Sequence, residues 1–217
     1  MDVARIASRF PDADLAKALL PHAFDKTDSA HDIAHILRVW ANVEKIAAQE
    51  GGDLTVLQAA TLLHDCVWVD KASPDRSRAS RLAAAKASQI LAGLSWSEAQ
   101  LNNVFHAIEA HSFSAAVQPE TVEACVLQDA DRLDAIGFIG VARCLGYSGE
   151  RGAALYHPTD PAGAARPLDD TAYALDHFQT KLMKLGAQFQ TETGKQLAQI
   201  RIDRLSLFYN CLLDEVL

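Results

Sequence analysis

A chain of 217 residues is long enough to bury a substantial core and suits a single domain spanning 1–217. Hydrophobic residues make up 49% of it, yet no run approaches the ~20 apolar residues of a membrane span, and the opening MDVARIASRFPDADLAKALL lacks the apolar core of a secretory signal. These features point to a cytoplasmic protein with no membrane partner, while a formal net charge of −8 argues against a nucleic-acid polymer, whose binding draws on neutralised phosphates.

The helical period runs nearly throughout. Between residues 29 and 49, Ile33, Ile36, Leu37, Trp40, Val43 and Ile46 recur at three- and four-residue steps, the signature of one buried helix face, and Gly51-Gly52 ends it. Residues 54–69 form the next predicted helix. Ser73-Pro74 then offers an N-cap followed by proline at the first helical position, for a helix through Arg81 to Leu91. Ser95, with Glu98 three residues on, predicts a capping box for a further helix through Ile108. Two more are expected over 119–133 and 136–145.

The texture changes at GYSGERGAALYHPTDPAGAARPLDD, residues 146–170, which hold four of the eleven glycines and three of the seven prolines. A stretch of that length without periodicity is a functional or mobile loop more often than filler. Helical periodicity returns at 173–185 and from about 191 to the end. The fold class is all-α. Cys66, Cys125, Cys144 and Cys211 are widely spaced, with no C-x-x-C pair, and read as reduced residues rather than a zinc site or disulfide frame.

Within this frame the chemistry-bearing residues are His35, the vicinal pair His64-Asp65 inside LQAATLLHDCVWVDK, and one aspartate of VLQDADRLDAIG. Neighbouring helical side chains diverge by roughly 100°. An imidazole and a carboxylate placed back to back therefore reach one point only in a groove beside the helix, where a metal ion would hold them. A basic cluster follows the pair: Lys71, Arg76, Arg78, Arg81 and Lys86. Solvated helix-surface charges are the plain reading of these five, and a local anion site is the functional one.

Taken in order, AHDIAHILRVW, AATLLHDCVWVDK, IEAHSFS and QDADRLDAIGFIGVAR resemble the HD-domain superfamily of metal-dependent phosphohydrolases; with RPLDDTAYALDHF they look like a bacterial branch related to small nucleotide pyrophosphohydrolases. The resemblance covers most of residues 25–210 and implies one metal ligand each from His35, His64, Asp65 and Asp131. It prefers His35 over His31, and Asp131 over Asp129 and Asp134, which become outer-sphere or salt-bridging groups. It also implies Lys71 as a catalytic and substrate-binding cation. Arg78, near the start of the next helix where backbone N–H groups favour anions, and then Arg76 are the further substrate-binding candidates, and Asp70 is the candidate proton shuttle or water-orienting group.

Two imidazoles and two carboxylates make a mixed nitrogen and oxygen site with open positions. Such a site suits one divalent ion, Mn²⁺ first, with Fe²⁺, Co²⁺, Ni²⁺ or Mg²⁺ as alternatives, better than a closed structural Zn²⁺. A bound ion lowers the pKa of its water from about 15.7 toward 7. The expected partner is a small phosphorylated substrate, a nucleoside triphosphate cut to monophosphate and pyrophosphate being the favoured case. Phosphomonoester or phosphodiester hydrolysis at the same site is the alternative. In the HD-type 5′-nucleotidases a glutamate four residues after the pair's histidine takes part in catalysis; here that place is Trp68, which reads as a core residue or a base-stacking one. Two other classes stay open: a di-iron oxygenase using His106 and His111, about 140° apart on a continuous helix, and a non-catalytic nucleotide sensor. The oligomeric state is left open, a homodimer included.

Overall fold

The structure is a computed structural model that describes residues 2–25, 32–69 and 73–216, without the side chains of Pro74 and Arg76. Among the described residues every regular element is a helix, and one isolated β-bridge joins Ala154 with Tyr173, as an all-α class requires. The chain divides into two compact units, Met1–Asp131 and Arg132–Leu217.

The N-terminal unit begins with α1 (Val3–Ala7), α2 (Ala13–Leu19) and a 3-10 turn, Leu20–His22. Helix α3 (Ile33–Glu50) starts where Asp32 accepts the His35 N–H at 2.8 Å and stops at Gly51, whose φ of +83° costs a glycine little. Its inward face is Ile36, Val39, Trp40, Val43, Ile46 and Ala47, with His35 and Asn42 buried among them. Helix α4 (Leu54–Leu63) is capped by Asp53 and buries every residue from Val56 to Leu63. A helix apolar all round belongs at the centre of a unit, and α4 packs on α2, α3, α5 (Ala79–Ala92) and α6 (Glu98–His111). Ala83, Ala84 and Ala87 on α5 let it lie close against α6. Helix α7 (Val122–Asp134) contains the boundary between the units.

In the C-terminal unit, α8 (Gly137–Glu150) packs on α9 (Ala174–Thr180) and on α10 (Glu192–Val216). The Phe178 ring stacks 5.9 Å from Phe208. Asp134 at the end of α7 pairs with Arg143 at 2.8 Å, so it is a salt-bridging group.

Several predicted boundaries move. The helix expected from Ser73-Pro74 opens as a 3-10 turn, Pro74–Arg78, and α5 itself starts at Ala79 with Arg78 at its N-cap. Three others shift for local hydrogen-bonding reasons. The helix expected over 54–69 ends at Leu63 because the His64 ring Nδ1 bonds the Thr61 carbonyl at 2.8 Å and the Cys66 N–H takes the Leu63 carbonyl at 3.1 Å. Those bonds satisfy the terminal carbonyls and turn the chain. The capping box is Ser97 with Gln100, two residues beyond Ser95, which instead has a φ of +61°. The irregular stretch starts at Arg151 rather than 146: α8 continues through Gly146 and Gly149 until Gly152, at φ +71°, closes it with the Ala153 N–H on the Ser148 carbonyl.

That stretch is closely organised. Asp160 accepts the N–H groups of Ala164 and Ala165, both at 2.9 Å. Arg166 grips the buried Asp176 of α9 with two bonds of 2.6 and 2.7 Å while its guanidinium lies 4.9 Å from the Tyr173 ring centroid. His157 packs edge-on against Tyr173 at 5.1 Å.

Candidate metal centre

The turn that ends α4 sets the geometry of the His64-Asp65 pair. Because the chain leaves the helix at Leu63, His64 stays buried while Asp65, 28% exposed at its side chain, swings into the same niche. The two residues share a point through the turn, not through a groove beside a continuing helix. His64 Nδ1 donates to the Thr61 carbonyl, which leaves the Nε2 lone pair facing the niche.

Around that nitrogen the other predicted residues gather. His64 Nε2 is 3.2 Å from His35 Nε2 and 3.5 Å from Asp65 Oδ2. His35 Nε2 lies 3.7 Å from Asp65 Oδ2 and 3.6 Å from Asp131 Oδ1. The set falls into two overlapping trios, His35–His64–Asp131 and His64–Asp65–His111, each offering ligand atoms within 4.8 Å of one another. Neighbouring ligand atoms around one ion with bonds of ~2.1 Å stand ~3.0 to 3.4 Å apart. The measured spacings are close to that range. Imidazole nitrogens and carboxylates gathered this closely carry an excess of acceptors, and each trio could hold a metal ion.

His111, expected as a ligand only in the di-iron alternative, also faces Asp65. Its Nδ1 bonds the Ile108 carbonyl at 2.6 Å and its Nε2 stands 3.8 Å from Asp65 Oδ1. Burial, together with the neighbouring His64, holds this imidazole below its ordinary pKa. His106 goes elsewhere: its Nε2 accepts the Glu120 N–H at 2.8 Å. The structure thus separates two histidines that the sequence could only pair.

The scaffold of the niche uses buried amides that no motif announces. Asn42 on α3 donates to the carbonyl of Ala130, next to Asp131, at 3.0 Å. Gln128 on α7 donates to the carbonyl of Ala110, next to His111, at 2.6 Å. Lys86 donates to the carbonyl of Cys66, next to Asp65, at 2.7 Å, and also to Asp25. Polar residues at inward helical positions, Asn42 and Gln128, are the signal that could have found them. Glu123 ties α7 to the start of α4 by accepting the Asp53 N–H at 2.7 Å; burial would raise its pKa, but that bond and one from Asn103 bring it below the usual carboxylate range.

The basic cluster is dispersed by its partners. Lys86 serves the scaffold, Arg81 lies 3.7 Å from Glu109, and Arg78, at the N-cap of α5, bonds Asp75 at 3.3 Å while staying largely exposed. Lys71 and Asp70 lie outside the described residues, as does His31, and so does the Arg76 side chain. Trp68 is not a core residue: it is 41% exposed.

A helical unit that gathers a vicinal His-Asp pair, a histidine from the preceding helix and an aspartate from a later one has the arrangement of an HD domain. The HD domain family model matches residues 32–136, and the chain belongs to the HD-domain superfamily. It is 33% identical over 177 residues to the uncharacterized protein YpgQ of Bacillus subtilis, spanning 80% of this chain and 78% of that protein. Among solved structures it is similar to an HD-superfamily hydrolase from Bacillus thuringiensis, with 31% identity, a TM-score of 0.70 and coverage of 93% and 96% of the two chains. It is also similar to Bacillus subtilis YpgQ in complex with ADP, with 27% identity, a TM-score of 0.68 and coverage of 99% and 98%.

Proposed function

We propose that this chain is a phosphohydrolase that uses one divalent metal ion, Mn²⁺ in the first instance, to hydrolyse a small phosphorylated substrate, a nucleoside triphosphate giving monophosphate and pyrophosphate. The observation that carries the reading is the convergence of His35, His64, Asp65 and Asp131 on one niche. The ADP bound to its relative YpgQ supports a nucleotide as the ligand class.

In this reading His35, His64, Asp65 and Asp131 hold the ion, which when bound acidifies a water and draws charge from a phosphoryl oxygen. Thr61 and the turn at Leu63 fix the His64 ring, so that its Nε2 needs no reorientation to bind. Asp65 also faces His111, whose neutral Nε2 can accept a hydrogen bond from a water or a protonated phosphate oxygen held between them. Lys71 neutralises charge developing on the phosphoryl group, Arg78 and Arg76 steer the anionic substrate, and Asp70 handles a proton at the edge of the site. Two bound ions, as a di-iron oxygenase requires, would have to be built without His106, which is committed to the Glu120 backbone. The reading therefore keeps a single ion.

The test is turnover of a nucleotide panel by metal-stripped protein after adding back Mn²⁺, Co²⁺, Ni²⁺, Mg²⁺ or Fe²⁺ singly, with products resolved. Pyrophosphate release that disappears in Asp131→Ala supports the proposal. Phosphate alone turns the reading to a phosphatase; nucleotide binding without turnover by any metal makes the chain a sensor. Two irons per chain with no hydrolysis makes it an oxygenase.

A further inference from the structure

Trp68 follows Asp65 by three residues, so its Cα lies within ~11 Å of that of Asp65, the full reach of three residues of chain. The residue is 41% exposed. Trp40, by contrast, is a core residue.

The segment that carries Trp68 is pinned. Its own N–H donates to Asp25 Oδ2 at 3.3 Å. Asp25 in turn accepts from Lys86 Nζ, and the same ammonium holds the Cys66 carbonyl at 2.7 Å. Two backbone groups within three residues of Asp65 are thereby tied through one cation on α5. The exposed indole is thus carried on backbone that is clamped within three residues of Asp65. A flat ring with few rotatable bonds binds planar partners at low entropic cost.

We propose that Trp68 is the platform on which the base of the nucleotide stacks, with Asp25 and Lys86 as the residues that position it; this rests on the nucleotide reading above. Stacking is tolerant of base identity because every base has a π-face, so the site discriminates weakly among purine nucleotides and more strongly between nucleotides and base-free polyphosphates.

The experiment is calorimetric titration of the full chain loaded with Mn²⁺, using ADP and inorganic pyrophosphate as separate probes, on wild type, Trp68→Ala and Trp68→Phe. In Trp68→Ala the affinity for ADP drops about tenfold, within the range that base–aromatic stacking supplies, while affinities for pyrophosphate and Mn²⁺ stay within about twofold, because stacking touches neither. Trp68→Phe recovers most of the loss. An unchanged ADP affinity in Trp68→Ala, or equal losses for ADP and pyrophosphate, overturns the platform and leaves the nucleotide reading standing. Wild-type protein that binds pyrophosphate but not ADP, or neither, overturns the nucleotide reading and the platform with it.

Discussion

The amide of Asn42 is a sharp test of how the metal niche is held. It is 2% exposed, and its Nδ2 donates across to the Ala130 carbonyl at 3.0 Å, tying the helix that carries His35 to the one that carries Asp131. Asn42→Asp keeps the shape but turns a carboxylate oxygen toward that carbonyl. Leaving a buried charge without its donor costs about 3 kcal/mol. Asn42→Leu loses the bond to Ala130 without adding charge, and loss of that bond costs about 1 kcal/mol. For a chain of this size each kcal/mol moves Tm by about 2–4 °C. In metal-free protein at neutral pH the aspartate variant is therefore expected to melt roughly 4–8 °C below the leucine variant.

The difference must also depend on pH. An unfolded aspartate titrates near 3.9, and burial against a carbonyl raises the folded value, since only the protonated form can donate. The penalty is then absent below the unfolded pKa, grows as pH rises toward the folded pKa, and is complete above it. Circular-dichroism melts of both variants at neutral and mildly acidic pH check this. Equal Tm values at neutral pH, or a gap that fails to narrow on acidification, refute the proposed role of the amide.

Burial pushes the Cys66 thiol up to about 12 and the Cys144 thiol up to about 11, so both stay protonated and shielded. Maleimide labelling of native protein followed by mass spectrometry should mark the exposed Cys211 first, and labelling of Cys66 at the same rate contradicts the fold around Asp65. In the C-terminal unit, the His177 ring holds the Asp170 carboxyl below its ordinary pKa, the Thr171 hydroxyl does the same for Asp169, and the Ala165 and Ala164 N–H groups for Asp160. Depressed carboxyl pKa values stabilise above the unfolded value near 3.9 and lose that contribution as pH falls through the folded ones. Asp170→Asn should therefore flatten the acid limb of that unit's stability, measured by melts below pH 5; an unaltered limb removes Asp170 from the account.

Much of this protein was legible in one dimension. The 3.6-residue period reports burial directly, so the all-α class and the inward face of α3 follow from Ile36, Trp40, Val43 and Ile46. His35, His64, Asp65 and Asp131, which the family resemblance singles out by residue type, order and spacing, stand near one another in the structure. What spacing could not give is where a helix stops when side chains compete for its last carbonyls. The His64 ring takes the Thr61 carbonyl, ends α4 at Leu63, and so decides how Asp65 enters the niche.

Tertiary contact alone decided the rest. His106 and His111 are chemically identical and lie five residues apart, yet one accepts a backbone N–H and the other faces Asp65. Lys86 looked like its basic neighbours until α5 placed its ammonium on the Cys66 carbonyl. The physical reason is common to these cases. Periodicity is a property of one helix and is written in local sequence, whereas a hydrogen bond such as Asn42 to Ala130 joins residues 88 positions apart, and its geometry exists only once the helices have packed.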